Sequence, residues 1–112
     1  MSPSQTNNAS LIASVQSIMG VVSQKGGYVV IVCPNPTLTT QVAKIVGSLL
    51  SKDDKFAGRT AEFLNKGKVS VACADEEVFI SDDESFKVSF IGWSARDDGK
   101  EMLKWQSKAK LL

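Results

Sequence analysis

Two side-chain types bound the chemistry open to this chain: it has two cysteines, Cys33 and Cys73, and no histidine. Without an imidazole there is no Ser-His-Asp triad, no Cys-His nucleophile pair and no histidine-ligated metal. Two thiols alone do not complete a structural zinc site. Neither has a neighbour in the sequence that would activate it as a nucleophile. Each ends an apolar run, YVVIVC and VSVAC, which is the setting of a small buried core residue. The remaining candidates for acid–base work are carboxylates. Asp75, Glu76, Glu77, Asp82, Asp83 and Glu84 form an acidic stretch with no base inside it, but the stretch reads as turns, where such groups are solvated. The sequence therefore predicts no catalytic set, no cofactor and no metal site.

Phosphate chemistry fails on spacing. FIGWSARDDGKEM follows a strand-like run and precedes a helical one, the setting of a P-loop. That loop needs G-x-x-x-x-G-K-[ST], so that backbone N–H groups wrap the phosphates and a hydroxyl reaches magnesium. Gly92 and Gly99 are too far apart, Glu101 stands where the hydroxyl belongs, and Asp97 and Asp98 repel phosphate. No G-x-G-x-x-G dinucleotide loop is present.

Cationic side chains offer a different chemistry. Lys52, Lys55, Arg59, Lys66 and Lys68 surround the middle of the chain, and Lys100, Lys104 and Lys108 recur every four residues. The second set lines one helix face, and both could grip phosphates. Acids lie close to each set, and the formal net charge is only +1, so no whole-protein field steers nucleic acid or an anionic membrane. VVIVCPNPTLTTQ, about a tenth of the chain, resembles the strand–Pro-x-x-Thr segment of helicase motor domains. In that family the segment touches the nucleic-acid backbone, and the matching positions are Pro34, Thr37, Leu38 and Gln41. The ATP-binding loop of a motor is absent, so the resemblance assigns no family.

These groups must be held by a chain of 112 residues, enough for one domain that folds without disulfides or metals. Apolar residues are 43% and charged residues 22%, ordinary globular values. Residues 1–7 are polar and read as a disordered N-terminus, leaving 8–112 as one domain. Leu11, Ile12, Val15, Ile18, Met19 and Val22 recur at helical spacing after a cap at Asn8 or Ser10, and Gly26-Gly27 ends that helix. Tyr28 to Cys33 reads as a strand buried on both faces. Asn35 caps the next helix and Pro36 opens it, with Leu38, Val42, Ile45, Val46 and Leu49 turned inward. Residues 51–67 read as a loop and a short helix carrying Phe56, Phe63 and Leu64 inward. Lys68 to Ala74, Glu77 to Ile80 and Phe86 to Trp93 read as strands, with a turn over Ser81 to Ser85. A last helix follows a cap at Ser94 or Asp98 and turns Met102, Trp105, Ala109 and Leu112 inward.

The expected fold is α/β with an α+β leaning. It has a mixed sheet of about four strands, one parallel right-handed crossover and then an antiparallel meander, flanked by three to four helices. No basic n-region precedes the apolar stretch Leu11 to Val22, and it is too short and too interrupted to span a membrane. An intracellular, cytoplasmic protein is the expectation. By elimination the chain reads as a non-enzymatic binding protein. It would be an accessory, regulatory or assembly factor in a larger machine, of the kind small viral and mobile-element proteins provide. Gln16 on the first helix, Thr39, Thr40 and Ser48 on the second, and Trp93 are the candidate protein interface. A homodimer through the acidic 75–84 stretch and the basic 100–110 helix fits two-fold symmetry. The alternative is a nucleic-acid-associated protein using the two cationic sets.

Overall fold

Tyr28–Cys33 has no charged residue and β-branched side chains at four consecutive positions. A strand of that composition belongs where both faces and both edges are covered. The computed structural model places it there. It describes residues 3–76, 85–93 and 99–108, with side chains over 9–76, 85–93 and 99–107. The elements run α1 (Pro3–Lys25), β1 (Tyr28–Cys33), α2 (Pro36–Leu49), β2 (Lys55–Ala57), β3 (Thr60–Glu62), β4 (Lys68–Cys73), β5 (Lys87–Phe90) and α3 (Gly99–Lys108). They form a single α/β domain with a five-stranded mixed sheet in the order β2-β3-β4-β1-β5. β1 pairs in parallel with β4 and with β5, while β2-β3 and β3-β4 are antiparallel.

Two expectations about topology are corrected. The closing meander is not there: β5 lies on the far side of β1 and runs parallel to it. The antiparallel part of the sheet comes earlier, from 55–62, where a short helix was expected. Phe56, Phe63 and Leu64 have helical spacing, but Gly58 takes φ +63°. It stands first in a two-residue turn between β2 and β3, the place where a tight hairpin takes glycine. Leu64 consequently faces outward, 72% exposed; Phe56 is 40% exposed with its ring laid against Gly47 of α2, and Phe63 is buried. The expected strand Glu77 to Ile80, the turn after it and the caps at Ser94 or Asp98 lie outside the described residues.

Helices cover both faces. Val15, Met19 and Val22 of α1 and Val42 and Val46 of α2 pack on Ile31, Val69, Val71 and Ile91. On the other face Trp105 of α3 packs with Val30, Val32, Ala74 and Phe86. Asn35 caps α2 as its sequence foretold: its side chain accepts from the Leu38 N–H at 2.9 Å, with Pro36 next. α1 begins at Pro3, upstream of both cap positions read from the sequence. It ends where Gly26, φ +78°, donates to the Val22 carbonyl at 2.8 Å. The Asn65 amide then donates to the carbonyls of Val22 and Ser23, both at 3.0 Å. The turn before β4 is thereby fastened to the end of α1.

Candidate functional site

The cationic candidates do not converge. Lys52, Lys55 and Lys66 are exposed around the β2-β3 hairpin and its flanking turns. Lys68, at the start of β4, has its ammonium 5.7 Å from the centre of the Tyr28 ring. Arg59 is engaged inside the molecule. Its guanidinium donates two bonds to Glu76, 2.8 and 2.5 Å, and the same carboxylate accepts the Cys73 N–H at 2.6 Å. That pairing lowers the Glu76 carboxyl below its ordinary value of 4.5. Lys104 is engaged too: its ammonium donates to the carbonyls of Ala74 (2.9 Å) and Glu76 (3.0 Å) and pairs with Glu101 at 2.9 Å. Lys104 thus ties the last helix to two backbone carbonyls at the end of β4 and to a carboxylate of its own helix. Lys100 is exposed on α3, across the sheet from α1 and α2, and the Lys108 side chain lies outside those described.

The interface candidates divide in the same way. Thr39 is corrected: it is 2% exposed, and its hydroxyl donates to the Asn35 carbonyl at 2.8 Å. The first turn of α2 rotates it onto the ends of the strands, away from the outer face it was assigned to. Thr40 and Ser48 are exposed, with the Ser48 hydroxyl bonded to the Ile45 carbonyl. Trp93 is half-buried. Its indole N–H donates to the Val32 carbonyl at 2.8 Å, and its ring meets Phe90 edge-on at 5.5 Å. Gln16 is exposed and lines a groove of about 580 Å³.

That groove lies between α1, the end of α2 and the turn after β3. Gln16, Gly20, Ser23, Leu49, Leu64 and Asn65 line it. Sequence reading passed over Gly20 and turned Leu64 inward. The signal for Gly20 was available. Glycine in a helix interior costs about 0.5–1 kcal/mol against alanine, so it needs a reason. Nothing lies within 4 Å of where its Cβ would stand, so the reason is not internal packing. The same side of α1 is free of charge: Ala9, Ala13, Gln16, Ser17 and Gln24 are exposed, and Val21 is 52% exposed.

A second locus lies at the carboxyl ends of the parallel strands, where open α/β sheets hold ligands. Cys33 and Cys73 stand directly opposite each other across β1 and β4. Alternation turns both toward α2. Burial pushes the Cys33 thiol up from 9.0 to about 12 and raises Cys73 as well. As free thiols both are poor nucleophiles. Among the described residues no three of His, Cys, Asp and Glu come together as a metal-ligand group, and no helix is long and apolar enough to cross a membrane.

No protein-family model, no curated protein and no solved structure matches this chain.

Proposed function

We propose that the chain is a non-enzymatic binding domain that acts through protein–protein contact, as an accessory, regulatory or assembly part of a larger machine. The observation that supports this reading is the groove beside α1, where a mid-helix glycine with open space at its Cβ faces a leucine that is 72% exposed. A leucine standing in water gives up its burial free energy, about 1.5–3 kcal/mol for a full side chain. A glycine lets another backbone come close. The charge-free side of α1 that continues from the groove suits desolvation, and the acid in the groove lining, Asp54, is already bonded to the Ser51 N–H and hydroxyl.

The test is photo-crosslinking from a benzophenone residue placed at Ser17, with one at Lys44 on α2 as control, in the cells that make the protein. A discrete partner captured from Ser17, absent from Lys44 and lost with Leu64→Asp, supports the reading; equal capture from both positions, or capture indifferent to Leu64→Asp, refutes it. Sedimentation of the purified chain shows whether that partner is a second copy. The nucleic-acid reading predicts binding to labelled RNA or DNA that weakens steeply with salt. Arg59 and Lys104, both engaged within the chain, give it less support than the groove gives protein contact.

A further inference from the structure

We propose that the groove beside α1 receives an acidic amphipathic segment of a partner protein, with apolar side chains over Gly20 and Leu64 and carboxylates on Lys25, Lys52 and Lys66. The proposal rests on the groove being the contact surface and adds the chemistry of what fills it. Each of the three walls carries an exposed lysine at its edge. Lys25 lies two residues past Ser23 on α1, Lys52 follows Ser51 after α2, and Lys66 follows Asn65 after β3. Among the described residues none of these three lysines has an ion pair. The nearby acids, Asp53 and Asp54, share one wall, and Asp54 is held by Ser51. Positive charge thus reaches the rim from all three walls, around an apolar floor of Met19, Leu49 and Phe63.

Lys66 carries a second observation. Among the described residues it alone, apart from glycines, has a positive φ, +73°. Glycine or asparagine takes that conformation cheaply, and a lysine does not. The turn is fastened in place all the same. The Lys66 N–H donates to the Phe63 carbonyl at 2.9 Å, the Gly67 N–H donates to the Asn65 side chain at 2.8 Å, and the Asn65 amide is bonded to the end of α1. The backbone is thus held in a shape that disfavours lysine, with a lysine in it, directly after the exposed Leu64. Strain of this kind collects where a side chain serves contact. Opposite charge across an interface sets partner choice and the rate of encounter. Two copies meeting groove to groove would set these lysines against each other, so the occupant is a different surface. A nucleic acid fits less well: the aromatic in the lining, Phe63, is 7% exposed, which leaves a base little to stack on, and Asp53 and Asp54 repel phosphate.

The experiment pans a phage library of short random peptides on the folded chain and measures the enriched peptides by fluorescence anisotropy. Enriched peptides combine apolar residues with a net negative charge, and their binding weakens as salt is raised. Leu64→Asp weakens it by more than roughly 10-fold. Lys25→Gln and Lys52→Gln each weaken it roughly 3-fold, while Lys100→Gln, on the far side of the sheet, leaves it unchanged. Lys66→Asn weakens binding roughly 3-fold yet raises the melting temperature, because asparagine suits the left-handed turn, so a folding defect cannot account for the loss. No enrichment, enriched peptides without an acidic excess, binding indifferent to the three lysines, or a labelled RNA oligonucleotide that binds those lysines more tightly than the peptides overturns the proposal. A partner crosslinked from Ser17 through a segment without acidic residues, and still captured after the lysine substitutions, overturns it as well while leaving the groove as a contact surface.

Discussion

The two faces of the sheet are built from different materials. Under α1 and α2 the packing is aliphatic and β-branched: Val15, Val22, Ile31, Val42, Val46, Val69 and Val71 are at most 3% exposed. Under α3 the packing is aromatic, and polar atoms take part. Trp105 and Trp93 each donate an indole N–H to a backbone carbonyl, of Ala74 and Val32. Tyr28 bonds Ser70, which bonds Thr60. The first face draws its stability from apolar area removed from water, which is non-directional. The second spends aromatic area on fixing where the segment after β4 and the one after β5 lie, because a hydrogen bond has a direction. Two long helices can share an aliphatic face, whereas a ten-residue helix needs anchors.

Matched substitutions put that contrast to the test. Val71→Ala, on the α1/α2 face, loses about 2 kcal/mol of unfolding free energy, from the transfer of two methyl groups and the cavity they leave. Val88→Ala, half-buried on the other face, loses less than half of that. Urea denaturation measures both, and equal losses would mean the second face is as well packed as the first. Trp105→Phe deletes the N–H together with the five-membered ring of a buried indole. It costs about 2 kcal/mol, the lost volume adding to the lost hydrogen bond, while Lys104 still bonds the Ala74 carbonyl.

Gly20→Ala moves the other way. It raises stability by about 0.5–1 kcal/mol, since the added methyl meets nothing, while weakening whatever docks in the groove. A thermal melt checks the first part and the crosslinking yield from Ser17 the second. The smallest effect is at Glu76→Gln, a few tenths of a kcal/mol in neutral buffer, because the ion pair is more than a third exposed. Its signature is in acid. A carboxyl held below 4.5 in the fold contributes stability that is present above 4.5 and lost as pH falls through the lowered value. The variant lacks that part of the acid slope in a series of denaturation curves.

How far the sequence could be read follows the same division. Patterns that depend on local spacing were legible. They gave β1 as a run without polar breaks, α2 from Asn35-Pro36 and its stripe, β4 by alternation, and α3 with Trp105 inward. The hairpin was missed because three apolar side chains at helical spacing outweighed Gly58, although a glycine leading a two-residue turn between Phe56-Ala57 and Thr60-Ala61 is itself a hairpin signal. The place of β5 was missed because strand order is decided by pairing across tens of residues. The burial of Thr39 was missed because a threonine near a helix start reads as polar surface until the cap fixes the rotation of the first turn. Leu64 and Gly20 became candidates only once the groove between them existed.

The central position of β1 has a consequence in time. Both of its neighbours are made after it: β4 begins forty residues downstream, and β5 ends at Phe90. Every ladder bond of β1 therefore closes a long loop, and such topologies fold slowly. Until Phe90 has left the ribosome, YVVIVC is a charge-free, proline-free β-branched hexapeptide with at least one open edge, the sequence signature of cross-β aggregation. The nascent chain depends on α1, already complete and next to it, to shield one face of that strand while it waits. Variants that loosen α1 should thus fail first in soluble yield during synthesis, before any loss is seen in the melting of the finished protein.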